Sequence, residues 1–305
     1  MRRSGWILLL WGVTGSLLVG CEEEVVGALN TEYPFSLWGV LNPLADTQFV
    51  RVFPVEATLA PGLPVPLDAR FVSMDLATGE EHTWRDSLFV DSSGAVGHVF
   101  YAPFQVVWEH TYRIEVTKAG GRTSTAEVEI PVRANLTLRE PNTEGGVRLD
   151  GVVTGNPPRL FRSEVEFYVR YIVGFTPPPI QMPIYEYVRY ALPFDDRLRR
   201  TGEGWAVSVD LDEAYFAVAF EVRKDPDFVS SGGITLLLVT FRTVVANDAW
   251  APPDGVFDPL VLIQPGTLEN VENGFGFIAG GYRLSRSWTL PLDVVAQTNF
   301  VPNQP

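Results

Sequence analysis

The sequence predicts an all-β protein: an N-terminal immunoglobulin- or fibronectin-like β-sandwich followed by a second β-rich, sandwich-like domain. Two observations carry that prediction. Short alternating apolar–polar runs rich in Val, Phe, Tyr, Thr and Trp fill most of the chain, separated by Gly and Pro. No heptads, internal repeat or long amphipathic helical pattern interrupts them.

The first domain is expected over residues 34–132. Residues 35–41 form its first strand. Residues 47–55 form the second, where Phe49, Val52 and Val55 break strict alternation and imply a bulge or burial on both faces. Strands over 70–76 and 81–90 flank a hairpin turn at 77–80, and a strand over 96–101 follows the turn at 91–94. Residues 111–117 alternate cleanly, turn at Gly120 and Gly121, and return over 123–130 to Pro131. Six or seven strands in about 100 residues is sandwich spacing. With one cysteine in the whole chain there is no inter-sheet disulfide, so the likeness is to fibronectin or carbohydrate-binding modules.

The second domain is expected over residues 133–292. Strands are read at 134–138, 146–153 and 163–174. Pro177, Pro178 and Pro179 then end any ladder, since proline offers no amide hydrogen. The pattern restarts over 185–192, and 194–200 makes a charged loop or a single helical turn. Residues 205–211, 216–224 and 234–245 read as long strands. The stretch 234–241 is apolar apart from Thr235 and Thr240, which marks a central strand covered on both faces. A loop over 247–258, a glycine-rich stretch over 273–281, a strand over 285–290 and a polar tail over 293–305 complete the chain.

Residues 1–20 have the layout of a secretory signal peptide: basic Arg2 and Arg3, an apolar run over 6–13, and small residues before Cys21. A spanning helix needs about 20 predominantly apolar residues, whereas this run is interrupted by Thr14, Gly15 and Ser16 and followed by acid. Leu18, Val19, Gly20 and Cys21 resemble the bacterial lipobox, in which the cysteine is acylated and becomes the first mature residue. Two or three acyl chains suffice for stable anchoring, each buried methylene contributing about 0.8 kcal/mol. Residues 21–33 then form a lipidated tether.

Cys21 is the sole cysteine, so no thiol remains for a disulfide, a thiolate metal site or a cysteine nucleophile. Loss of Arg2 and Arg3 with the leader takes the net charge from −14 to about −16. An acidic surface disfavours nucleic acid, whose phosphates need a basic face.

No catalytic or cofactor constellation emerges. His82, His98 and His110 lack metal-ligand spacing, and neither a nucleophile elbow nor a phosphate loop occurs. No cofactor and no metal site is therefore assigned. Acidic clusters at Asp195 and Asp196, at Asp210, Asp212 and Glu213, and at Asp225 and Asp227 read as solvated turns or as oxygen-ligand calcium sites. Aromatic residues make up 12% of the chain, and those in or near turns (Trp84, Trp108, Trp205 and Trp250) offer rings to a sugar or an apolar ligand unless they are core. Trp84, Trp205 and above all Trp250 are the candidate ligand-binding residues.

Three segments carry a family resemblance: residues 33–43 near the lipidated cysteine, residues 110–116 followed by 126–131, and residues 268–281. The last, with Asn270, Val271, Asn273, Gly274 and Gly276, is similar to an Asn-Ile-x-Asn-Gly-x-Gly segment. Together they resemble the uncharacterised lipoproteins of Bacteroidetes-type bacteria often found beside TonB-dependent receptors. The resemblance implies an outer-membrane lipoprotein acting with such a receptor and brings no catalytic activity. Its glycines permit positive φ and close backbone approach, so that a final strand can turn tightly against the sheet.

The expected function is that of a non-enzymatic, outer-membrane-anchored accessory that binds a ligand or a partner, such as a TonB-dependent receptor. The alternatives are a surface glycan hydrolase using paired carboxylates and a structural or adhesive envelope protein. Glu22, Glu23 and Glu24 directly after Cys21 resemble a surface-export signal, with a periplasm-facing orientation as the alternative.

Overall fold

The computed structural model describes residues 33–55, 65–90, 96–247, 249–250 and 269–303. The leader, Cys21, the tether up to residue 32 and the turn at 91–94 lie outside the described residues, as does most of the loop at 247–258. The protein is all-β, with three sheets arranged around two cores. Among the described residues no helix is long and apolar enough to cross a membrane.

The first core lies between two sheets. One runs β5 (Arg85–Val90), β6 (Val96–Ala102), β2 (Gln48–Pro54), β1 (Phe35–Leu41) and then β17 (Gly274–Trp288). The other runs β4 (Glu81–Thr83), β3 (Ala69–Asp75), β7 (Thr111–Lys118), β8 (Thr123–Glu129) and β16 (Val271–Glu272). Alternation places one face of each strand inward. Phe35, Leu37, Val50, Val52 and Phe100 thus meet Phe71, Ile114, Val116 and Val128 in one cluster.

Residues 81–90, expected as one strand, are two. β4 pairs β3 in one sheet and β5 pairs β6 in the other. The chain changes sheet at Trp84, whose ring stacks on Phe71 with centroids 4.4 Å apart. Its indole N–H donates to Ser73 Oγ at 2.9 Å. A buried indole with a satisfied donor holds the corner.

The second core lies between β12 (Pro183–Pro193), β11 (Arg159–Phe175), β15 (Ile234–Ala246) and the later half of β17 on one side. Opposite them stand β9 (Asn135–Leu138), β10 (Arg148–Thr154), β14 (Trp205–Asp210), β13 (Arg199–Arg200) and the helix α1 (Leu211–Val222). β15 runs between β11 and β17, the central place its apolar sequence predicts.

Two segments differ from the sequence reading. Residues 216–224, expected as a strand, belong mostly to α1. The period is helical, because Leu211, Ala214, Val218 and Val222 are buried at spacings of three and four. Asp210 caps it by accepting from the amides of Asp212 and Glu213. Phe216 and Phe220, 67% and 64% exposed, imitate strand alternation because they are apolar yet face outward. The polar tail also folds: α2 (Leu292–Val295) and β18 (Val301–Pro302) bring Val294, Val295 and Phe300 into the second core.

β17 joins the two halves. Gly274 to Gly280 pair in parallel with β1, while Gly281 to Trp288 pair antiparallel with β15 on the opposite edge. Residues placed by sequence in the second domain therefore complete the first sandwich. The glycine-rich segment does bring a late strand tightly against the sheet: Gly276 has φ +104°, and a Cβ there would meet Leu37 O at 2.1 Å.

Candidate functional site

Where β17 leaves β1 and takes up β15, the sheet opens into a cavity of about 390 Å³. That is within the range of about 300–1,000 Å³ usual for small-molecule sites. The end of β1, the following turn and the start of β2 supply Val40, Asn42, Thr47, Gln48 and Phe49. Register supplies the other wall: Phe161 on β11 faces Val244 on β15, which faces Arg283 on β17. Directly opposed residues point to the same side of a sheet, so these three form one row. Gly281 also lines the cavity, and a Cβ on it would stand 3.1 Å from Val245 O and 3.6 Å from Val40 Cγ1.

The rim is fixed by hydrogen bonds. Gln48 is 1% exposed, and its Oε1 accepts from Asn42 N at 2.8 Å. Its Nε2 donates to the carbonyls of Asn42, Ala45 and Phe104. Tyr282 donates to Val132 O at 3.0 Å and accepts from Ala134 N at 2.6 Å. It thereby ties the wall to the segment between the two cores, and burial raises its phenol pKa above the ordinary value.

Trp250 is the sequence-predicted candidate that reaches this cavity. Its half-buried ring lies 5.8 Å from Phe277 in a T-shaped pair and 6.3 Å from Phe161. The other candidates lie elsewhere. Trp84 is 4% exposed and wholly part of the first core, so it offers no face to a ligand. Trp205 donates from its indole to Pro157 O and lies under the Arg200 guanidinium, 5.5 Å from the ring centre. Trp108 packs edge-on against Tyr282 at 4.9 Å.

Arg162 and Arg283 at the cavity were not singled out by sequence. Arg162 sits in the bulge between Phe161 and Glu164 with φ +47°, and strand register brings Arg283 to the same cavity through Val244. No spacing in the sequence signals either.

The acidic clusters serve local structure. Asp195 accepts from Ser163 N at 2.7 Å, Asp210 caps α1, and Asp225 accepts from Tyr171 Oη and Asp227 N. Among the described residues no group of three His, Cys, Asp or Glu side chains is placed to share a cation.

The histidines are paired or stacked: His82 lies flat on Phe104 at 3.8 Å, and His98 contacts Asp86 at 2.8 Å. His110 contacts Asp75 at 2.8 Å. Burial pushes the Asp75 carboxyl up, but its bonds to His110 and Ala77 N outweigh burial and hold it below the ordinary 3.8. A depressed carboxyl contributes stability above its unfolded pKa and loses it as pH falls through the folded value. Asp75→Asn is therefore expected to flatten the loss of stability between about pH 5 and pH 2, read as urea midpoints against pH. An acid limb as steep as that of the parent would rule this out.

A second exposed feature is the β11–β12 hairpin tip. Residues 171–185 carry no charge. Phe175, Ile180, Met182 and Ile184 are 48%, 70%, 59% and 46% exposed. Thr176 N donates to Met182 O, and the Thr176 hydroxyl donates to Ile180 O while accepting from Met182 N.

No protein-family model matches the sequence, and a search of curated proteins finds no match. The fold and cavity define a class only: a two-core β protein whose late strand bridges both cores beside a small-molecule-sized cavity.

Proposed function

We propose that the chain is a non-enzymatic, lipid-anchored envelope protein that binds a small ligand in the seam cavity, as an accessory to receptor-mediated uptake across the outer membrane. The cavity carries this reading: its size, its aromatic wall of Phe49, Phe161, Trp250 and Tyr282, and its fixed rim suit a bound molecule. Its described lining residues include no Asp or Glu, which favours binding over the paired-carboxylate chemistry of a glycan hydrolase. The lipobox at Cys21 supports the anchor, and the glutamates after it support the cell-surface orientation. The apolar hairpin tip supports a partner contact, for which a TonB-dependent receptor is the proposed class.

The test uses the acylated protein purified from detergent-solubilised outer membrane. Recovery together with a receptor is expected, and Cys21→Ser is expected to abolish both palmitate labelling and membrane retention. Recovery of the protein alone would sink the accessory role, and unchanged retention of Cys21→Ser would sink the anchor. Protease treatment of intact cells decides the orientation: digestion marks the cell surface, protection the periplasm.

A further inference from the structure

We infer that the ligand of the seam cavity is a small organic anion with an apolar body, its carboxylate or phosphate group held by Arg162 and Arg283. This rests on the cavity's being a binding site, as proposed above, and adds the chemical class of what it binds.

Charge placement carries the inference. The chain has net charge −14, with 37 acidic residues against 23 basic. The thirteen described residues that line the cavity nevertheless hold two arginines and no acid. Asp46, which lies between the lining residues Ala45 and Thr47, is not itself part of the lining. Among the described residues neither Arg162 nor Arg283 makes an ion pair, so neither guanidinium is neutralised by a described acid of this chain. Two arginines that line an otherwise largely apolar cavity attract an anion and bind it through charge-assisted hydrogen bonds.

The rest of the lining defines the body of the ligand. Val40, Phe49, Val244 and the Trp250 ring provide apolar surface, while the polar atoms of Gln48 and Tyr282 are already engaged with backbone groups. The remaining polar side chains at the lining, those of Asn42, Thr47, Arg162 and Arg283, are fewer than the apolar and aromatic side chains beside them. An alkyl or aryl group needs no polar partner. Backbone geometry adds a cost consistent with a site: Arg162 holds φ +47°, a left-handed conformation that costs a non-glycine residue free energy.

The experiment uses the full chain carrying Cys21→Ser, so that no acyl chain of its own competes, with decanoate, decyl phosphate and uncharged decanol as probes. Titration calorimetry at low salt is expected to give at least about tenfold tighter binding for an anion than for decanol, as charge-assisted bonds imply. That advantage should shrink as salt is raised and vanish in Arg162→Gln/Arg283→Gln. Decanoate against decyl phosphate then distinguishes a carboxylate from a phosphate ligand. Equal affinity for anion and alcohol, or an anion preference that survives the double substitution, overturns the anion assignment while the binding reading stands. Absence of binding by all three probes overturns both.

Discussion

Gly276→Ala is expected to destabilise the protein by at least ~3 kcal/mol, the sum of two separate costs. The first is conformational: at φ +104° an L-residue is strained by roughly 1–3 kcal/mol. The second is steric, because the new Cβ would stand 2.1 Å from Leu37 O and 3.0 Å from Trp38 Nε1. Relief requires moving the β1 backbone, since the obstructing atom is a carbonyl and not the end of a flexible side chain. Gly280→Ala meets the steric cost alone, with Glu129 O at 2.1 Å. Gly79→Ala is the control: φ is +76° there too, but nothing lies within 4 Å, so only about 1 kcal/mol is expected. Guanidinium midpoints at constant m-value order the three. If Gly276→Ala shifts the midpoint no further than Gly79→Ala, β1 and β17 do not approach as closely as this.

The same segment separates what the sequence reveals from what it hides. Its glycines announce close approach and a tight turn, and Asn273 at φ +51° followed by Gly274 makes that turn between β16 and β17. What they approach is not readable, because alternation reports which face of a strand is buried but not its neighbour. β17 pairs with β1 from the opposite end of the chain and then with β15 on its other edge. The local pattern sets an expected boundary near residue 132 and gives no sign of a strand that serves both cores. Errors of type arise where burial and apolarity part company, as in α1, whose exposed Phe216 and Phe220 carry a false two-residue period.

The candidate site divides along the same line. Trp250 is legible because Pro252 and Pro253 follow it closely in sequence, and proline cannot continue a strand ladder. Arg162 and Arg283 are not, because a bulge and a register bring them to one cavity from residues 121 positions apart. Trp84 misled for a related reason: it stands in a turn-like position that is the passage between two sheets, and passage through a core buries it.

Asn270→Ala is expected to loosen the seam with an effect close to that of the Gly276 substitution. The Asn270 side chain acts as one residue of a missing strand. Its Oδ1 accepts from Ile278 N at 2.9 Å and its Nδ2 donates to Ile278 O at 2.8 Å. Ile278 is fully buried, so truncation leaves a buried amide and a buried carbonyl unpaired, each costing about 1–3 kcal/mol. The loss falls where β17 passes from β1 to β15, beside Gly280 and the cavity floor. Asn270→Asp keeps the acceptor for Ile278 N but sets a carboxylate oxygen against Ile278 O, and is expected to recover less than half of the loss. Hydrogen exchange at the Ile278 amide reads the effect locally: protection should fall in Asn270→Ala and remain in Asn270→Asp. An Asn270→Ala protein with parent stability and a protected Ile278 amide would mean that the pairing of β17 with β1 alone holds the bridge between the two cores.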